Sequence, residues 1–351
     1  MAEAVRLRRG DRGLAGWQTW FEQELELRLD ELVLEHPEYA AVAEALQVLP
    51  AGHRASFLRS PSVSSVLFHG GDAPADGAGL LERLLMGELV VLGLLPQLPD
   101  EAHWTADGSQ RLPALPEEHQ YRSIRGLPNV ALDLASPFRF PDDEYGIAGG
   151  TVPYEAADLE NAVERVSAAT GVLESIPPAL ELVDTFTETL ALRREPAAER
   201  GFQSSTFSGL VGLVRLANAD LPAVSPGLVA EALVHEATHG MLYMHEEVDG
   251  PFITDESANH EGVESPWTGT TIRLQSLLHA CAVWLAIHSY WQRALVADSC
   301  DAAEARRRSD LALGGFRARP AAELVDRHFA LLSPAAVELL ERLDAAMVEL
   351  V

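Results

Sequence analysis

The stretch SPGLVAEALVHEATHGMLYMHEEVDGP, residues 225–251, decides the fold prediction because it marks one long helix at both of its ends. Ser225 is a favoured N-cap residue, and Pro226 suits the first helical position, where its missing amide hydrogen is not needed. The run Asp-Gly-Pro at 249–251 ends the helix, since glycine and proline do not continue one. The sequence therefore predicts a helix that carries the segment HEATH, residues 235–239.

His235 and His239 stand four residues apart in this segment. On a helix that spacing puts both imidazoles on the same face, within reach of one metal ion. Glu236 lies one step around the axis, where a carboxylate can act on bound water. The pattern predicts a metal site in an enzyme, and the alternative is two ordinary helix histidines without an ion.

A third ligand has to come from outside the motif. His245 has the position of the third histidine in the pattern HExxHxxGxxH, but Leu242 replaces the glycine at which that chain turns. If the helix continues, His245 lies about 15 Å along the axis from His235, too far to share its ion. Glu261 and Glu264 are the acids that a glutamate-ligated site would use, and the alternative for them is solvent exposure in a loop.

His279 is a stronger candidate for the third ligand. It lies in the apolar run SLLHACAVW, within a second long helix predicted at about 272–296. An imidazole in such surroundings needs a polar partner, which is either a metal ion or a backbone carbonyl.

Arg273 is the only arginine or lysine between Arg215 and Arg293. Among so many acids, an arginine usually forms a salt bridge. The functional alternative is a bidentate contact with a carboxylate of a substrate or cosubstrate, which the planar guanidinium suits.

Three segments together resemble a known family: LVAEALVHEATH at 228–239, GPFI at 250–253 and ESPWTGTTIRLQSLLHACAVWLA at 264–286. They are similar to the HExxH-type, iron- and 2-oxoglutarate-dependent peptide β-hydroxylases associated with ribosomally synthesised, modified peptides. The resemblance covers residues 200–295 and extends only loosely to the N-terminal half.

The resemblance assigns roles to five residues. It places His235, Glu236 and His239 on the metal motif of the family. It places His279 on the downstream histidine, as third ligand, and Arg273 on the arginine that binds 2-oxoglutarate. It implies Fe(II) and 2-oxoglutarate as cofactors, and hydroxylation of an unactivated carbon in a peptide or amino-acid substrate, such as a ribosomally made precursor peptide.

The chain departs from common family members at two places. Leu274 follows the arginine where they often have proline, so the start of the second helix is expected to differ. Pro266 and Trp267 match the loop pair of the family, but Glu264 and Ser265 precede them where aromatic residues are common. The substrate mouth is therefore expected to differ in shape.

The motif alone does not choose between chemistries, because imidazoles bind both zinc and iron. The alternative is a zinc-dependent HExxH metallopeptidase, in which Glu236 takes a proton from the attacking water. Against it stand the missing glycine turn and the absence of a secretion signal. A second alternative is a non-catalytic binding protein. Most oxygenases of this cofactor class use two histidines and one carboxylate, so an all-histidine site is unusual.

Composition limits the partners. The 351 residues carry a formal net charge of −27, which disfavours nucleic acid and anionic membrane surfaces. All 26 basic residues are arginine, a bias typical of a GC-rich bacterial genome. Two cysteines and the absence of a recognisable targeting segment favour a cytoplasmic protein.

The predicted fold class is mainly α with a small β-sheet (α+β), in which the HExxH helix packs against the second long helix. Residues 1–155 form a mostly helical region with helices within 14–48 and 80–95, a turn at 70–79 and an irregular connector at about 96–155.

Residues 156–351 form the metal-binding catalytic region, as one continuous globular unit with the first. Helical spacing continues to residue 194, and FSGLVGLVRLA at 207–217 predicts a hairpin or a strand at a sheet edge. Further boundaries are predicted at a break near Ile176-Pro177-Pro178, a polar loop at 251–271, a break at Gly314-Gly315 and a last helix from Pro334.

Overall fold

The computed structural model describes residues 14–69, 74–96, 103–112, 123–134, 136, 152–195, 201–260 and 262–351. These residues form a mainly helical protein with a small mixed sheet, which confirms the α+β class at that level. The N-terminal stretch 1–13, residues 70–73 of the predicted turn, parts of the connector, and Glu261 lie outside the described residues.

The helices are α1 (Leu14–Glu35), α2 (Ala40–Leu46), α3 (Ala51–Arg59), α4 (Pro61–His69), α5 (Pro74–Val91), α6 (Ala156–Glu174), α7 (Pro177–Phe186), α8 (Pro226–Asp249), α9 (Glu256–Asn259), α10 (Leu274–Ala297), α11 (Ala302–Phe316), α12 (Pro320–His328) and α13 (Pro334–Val348). The strands are β1 (His103–Trp104), β2 (Arg111–Leu112), β3 (Ser123–Ile124), β4 (Leu127–Asp133), β5 (Thr189–Arg193), β6 (Gln203–Ser205), β7 (Leu213–Ala217), β8 (Gly262–Glu264) and β9 (Thr271–Arg273).

The main sheet has five strands in the order β3-β4-β5-β7-β6. The three inner strands are parallel, while β3 and β6 run antiparallel at the two edges. Every residue of β5 and β7 is buried, because helices and loops cover both faces of a mixed sheet with parallel inner strands. The sheet thus presents β6 as the edge strand that lies next to α8.

Helix α8 has the predicted bounds. The Ser225 hydroxyl accepts a hydrogen bond from the Leu228 amide at 3.0 Å and so caps the first turn. Gly240 lies where an added Cβ would meet the Phe186 carbonyl at 3.0 Å, so a small residue is needed there. The helix ends at Gly250, whose φ of 91° is a conformation that favours glycine.

Helix α10 starts and ends within two residues of its predicted bounds, about 272–296. Side chains of α10 reach α8 in its first two turns: the Tyr290 hydroxyl donates to the Gly227 carbonyl at 3.0 Å, and the Trp291 indole donates to Glu231. These contacts join the C-terminal half of α10 to the N-terminal half of α8. The HEATH segment, farther along α8, lies beside the N-terminal half of α10.

Four predicted boundaries in the second region are wrong in part. Helical spacing was expected to continue to residue 194, but β5 forms instead. The prediction failed because a short apolar run does not distinguish a strand from a helix. The stretch 207–217 forms the turn and second strand of an antiparallel hairpin with β6, as one alternative predicted, but β7 is an inner strand and the edge is β6. The predicted loop at 251–271 contains α9 and the β8–β9 hairpin, and α11 runs through Gly314-Gly315 to Phe316.

The helices of the two predicted regions share a hydrophobic core. Buried residues of α1 such as Phe21 and Leu25 belong to the same cluster as Leu233 of α8 and Leu278 of α10. Among the helices described, none combines the length and hydropathy needed to cross a membrane.

Candidate functional site

Helix α8 places the three motif residues as the sequence predicts. The ring centroids of His235 and His239 lie 5.0 Å apart on one face of the helix. The His235 side chain is 35% exposed, whereas that of Glu236 is 4% exposed. His235 is therefore partly open to solvent, and Glu236 faces the protein.

His279 meets the motif from α10. Its Nδ1 lies 3.1 Å from Nδ1 of His239, and the two ring centroids are 5.3 Å apart. The His279 side chain is only 2% exposed. The structure thus brings together four of the five residues that were predicted to form the site: His235, Glu236, His239 and His279.

Glu246, two turns beyond His239 on α8, is a site residue that the sequence analysis missed. One of its oxygens lies 3.0 Å from Nε2 of His279. The Phe252 amide and the Gln275 side chain also donate to this carboxylate. Its seven-residue spacing from His239 was the signal that could have placed it on the same helix face.

Tyr243 is a second residue that was missed. It lies one turn beyond His239, and its ring centroid is 5.9 Å from that of His239 and 5.0 Å from that of His279. The phenol ring therefore forms one wall of the site, and its four-residue spacing from His239 was visible in the sequence.

Glu236 is held against the edge strand β6. The Ser204 hydroxyl donates to Oε1 of Glu236 at 2.6 Å. Burial raises the pKa of Glu236, while His235, the Ser204 hydroxyl, the buried guanidinium of Arg215 and the Thr206 amide act in the opposite direction. Arg215 itself donates to the Ser205 hydroxyl at 2.9 Å. The edge strand and its neighbour thus surround this carboxylate with donors.

The pKa of His239 is held well below its ordinary value. Burial is the largest cause, followed by the charges of His235 and His279. His239 is therefore neutral near pH 7, the form in which an imidazole can bind a metal ion.

Arg273 is the N-cap residue of α10, and its side chain is exposed. Within the described part of the chain, it makes no hydrogen bond or ion pair through its guanidinium. The salt bridge that was the ordinary alternative for Arg273 is thus not formed with the described residues, and the group faces solvent.

The other candidates lie elsewhere. Because α8 continues through Leu242, the turn that would bring His245 back to the motif does not form, and its ring stacks on Phe252 at 4.9 Å. Glu264 is exposed on β8. Trp267 is buried, donates to the Ala312 carbonyl at 2.9 Å and stacks on a second tryptophan, so it supports the core.

The residues fit a metal ion in donor type and adjacency. Two nitrogens bound to one tetrahedral ion at about 2.1 Å lie about 3.4 Å apart, close to the 3.1 Å between His239 and His279. As the side chains stand, no three His, Cys, Asp or Glu groups among the described residues converge on one ion position. His235 is the third ring of the predicted set, and its side chain is 35% exposed.

Comparison with known proteins finds no protein-family model that matches the chain and no curated protein whose sequence matches it.

Proposed function

We propose that this chain is an Fe(II)- and 2-oxoglutarate-dependent oxygenase that hydroxylates an unactivated carbon of a peptide or amino-acid substrate. The observation that carries the proposal is the approach of His239 Nδ1 and His279 Nδ1 to 3.1 Å across α8 and α10. Two histidines 40 residues apart meet at the motif, where the hydroxylase family that the sequence resembles has its metal. The same distance fits a hydrogen bond in which one Nδ1–H donates to the other Nδ1, so the sequence resemblance is what assigns a metal to this pair.

In this proposal His235, His239 and His279, on the packed helices α8 and α10, hold the ion. The bound iron, with 2-oxoglutarate and dioxygen, supplies the oxidation of a substrate C–H bond. Arg273 binds the distal carboxylate of 2-oxoglutarate. Its exposed guanidinium supports this role, because no carboxylate among the described residues already occupies it.

Glu236 then lies beside His235 as a buried polar group that is bonded to the edge strand. Its Oε1 lies 3.9 Å from Nε2 of His235 and accepts the Ser204 hydroxyl at 2.6 Å. Glu236 is buried, whereas the His235 side chain is 35% exposed, so in this proposal substrate approaches from the side of His235.

A zinc hydrolase is the second candidate, and one observation favours it. Burial raises the pKa of Glu236, and a raised pKa suits a carboxylate that must accept and return a proton near neutral pH. However, water must reach a carboxylate that exchanges protons with it, and Glu236 is only 3% exposed. We therefore rank the hydrolase below the oxygenase.

The deciding experiment compares two metals on one anaerobic preparation. The Fe(II) form is expected to convert 2-oxoglutarate to succinate and to lose this activity when Zn(II) replaces Fe(II). Peptide cleavage by the Zn(II) form, with no succinate from the Fe(II) form, would establish the hydrolase instead. Failure to retain either metal, with partner binding unchanged in His235→Ala, would leave a binding protein.

A matched pair of variants tests the site itself. His279→Ala is expected to lose metal and succinate formation, because the imidazole that faces His239 is removed. His288→Ala is the control: it also removes a buried histidine of α10, but one that bonds Ser309 and not the site. Equal metal loss in both variants would contradict the site assignment.

A further inference from the structure

The carboxylate of Glu246 is surrounded by hydrogen-bond donors. Oε1 accepts from the Phe252 amide at 3.1 Å and from Gln275 Nε2 at 2.9 Å. Oε2 accepts from the same Gln275 nitrogen at 2.8 Å and lies 3.0 Å from His279 Nε2. Backbone and amide N–H groups only donate, so the carboxylate accepts from both.

The orientation of Gln275 is fixed independently by Asn259. The Asn259 side chain accepts from the backbone amide of Gln275 at 3.0 Å and donates to the side-chain Oε1 of Gln275 at 3.3 Å. With its oxygen occupied in this way, Gln275 has its nitrogen toward Glu246. Asn259 is 5% exposed, so water does not compete strongly for these bonds.

An acceptor at Glu246 determines which nitrogen of His279 carries the hydrogen. A neutral imidazole has one N–H and one lone pair, and the partner of one nitrogen settles the other. We propose that Glu246 is a positioning residue that holds His279 in the Nε2–H tautomer, so that Nδ1 is the nitrogen that His279 offers to a metal ion. Nδ1 of His279 is the atom that faces His239 at 3.1 Å.

The burial of Glu246 agrees with this assignment. Its side chain is 9% exposed, so water competes little with His279 for the carboxylate oxygens. Histidines that bind metals commonly donate their other N–H to a carboxylate, and losing such a partner typically weakens metal binding about 10- to 100-fold. The tautomer is independent of the function proposed above, and the ligand role of Nδ1 rests only on the metal site proposed there, not on the oxygenase reaction.

The tautomer can be measured without metal by NMR of the full chain labelled with ¹⁵N-histidine, with His279 assigned by the signal lost in His279→Asn. His279 is expected to show a protonated Nε2 and an unprotonated Nδ1. On addition of Zn(II) alone, the Nδ1 signal is expected to shift. A protonated Nδ1 in the metal-free protein, or a shift of Nε2 on metal addition, would overturn the proposal.

Variants at position 246 separate positioning from support of the fold. Glu246→Ala is expected to raise the dissociation constant for Zn(II) about 10- to 100-fold and to mix the two His279 tautomers. Glu246→Gln keeps an acceptor oxygen for the Nε2–H and should recover part of both effects, even if the alanine variant folds poorly. Unchanged affinity and tautomer in Glu246→Gln and Glu246→Ala would overturn the positioning role.

Glu247→Gln is the matched control, because it removes a charge from the next residue of α8, which lies 3.4 Å from His69 instead of the site. It should leave the tautomer and the zinc affinity as in the parent chain. Zinc bound through Nδ1 in a protein that forms no succinate with iron would refute the oxygenase and leave this inference intact.

Discussion

Arg273→Ala is expected to weaken the binding of 2-oxoglutarate without changing the fold. The Arg273 side chain is exposed at the start of α10 and makes no ion pair or hydrogen bond with other described residues. Its removal therefore leaves no buried partner unsatisfied, and the free energy of unfolding should change by less than about 0.5 kcal/mol. A stability loss well above that value would mean that the guanidinium is already engaged in the protein.

The loss of affinity follows from the contact proposed for it. A charge-assisted, bidentate contact with a carboxylate is worth about 2 to 4 kcal/mol when one partner is truncated, or roughly 30- to 1000-fold in the dissociation constant. Arg273→Lys should recover only part of this loss, since an ammonium lacks the planar pair of donors. Metal content should stay normal, because Arg273 is not a ligand.

The assay is a titration of 2-oxoglutarate into the Fe(II) protein under nitrogen, followed by the metal-to-ligand absorption band. Arg293→Ala provides the matched control, because Arg293 is also an exposed arginine of α10 without an ion pair among the described residues. An unchanged dissociation constant in Arg273→Ala, or an equal loss in Arg293→Ala, would refute the assignment of the arginine.

Three further predictions concern stability, each measured by urea unfolding. Burial raises the pKa of Glu88 from 4.5 to about 7, so the unfolded chain ionises first, and Glu88 should lower stability by up to about 3 kcal/mol as pH rises through that window. Glu88→Gln should remove this contribution and leave that of Glu188, whose pKa burial also raises to about 7. An added Cβ at Gly315 meets Trp267, whereas at Gly314 it meets nothing within 4 Å. Gly315→Ala should therefore destabilise by about 1 to 3 kcal/mol and Gly314→Ala should stabilise by up to about 1 kcal/mol. Ser225→Ala should cost about 1 kcal/mol through the lost cap of α8.

Each of these has a result that contradicts it. A pH profile of Glu88→Gln parallel to that of the parent chain would show that this carboxyl does not titrate in the window. Equal effects at positions 314 and 315 would remove the steric argument. An unaffected Ser225→Ala variant would mean that solvent replaces the cap.

The parts of the fold that local chemistry determines could be predicted from the sequence. Helix α8 was predicted with both ends because Ser225 caps one end and Gly250 breaks the other within a few residues. Strand β5 was missed because its five residues are all buried, so no alternation of polar and apolar residues marks it as a strand. Prediction failed where burial by distant elements decided the structure.

The candidate site likewise contains residues that the sequence could predict and one that it could not. His235, Glu236 and His239 follow from spacing within one helix, and His279 from its polar ring in an apolar helix. Glu246 could not be assigned, because within the sequence HEEVD it is one acid among several, and its distinguishing contacts come from Phe252 and from Gln275 on α10. Only the packing of helices far apart in sequence shows which acid meets the histidine.

The two glutamates of the site differ in what they can do, and this difference bears on the chemistry. Glu236 bonds the edge strand through Ser204, and Glu246 bonds the ring of His279, so each carboxylate faces protein groups and not the open side of the site. A hydrolase needs one carboxylate that exchanges protons with water at the metal. An oxygenase needs ligands held in fixed orientation and one cation for its cosubstrate; Glu246 orients His279, and in the proposal the cation is Arg273. The burial of both carboxylates therefore counts against the hydrolase, while the role of Arg273 rests on the sequence resemblance.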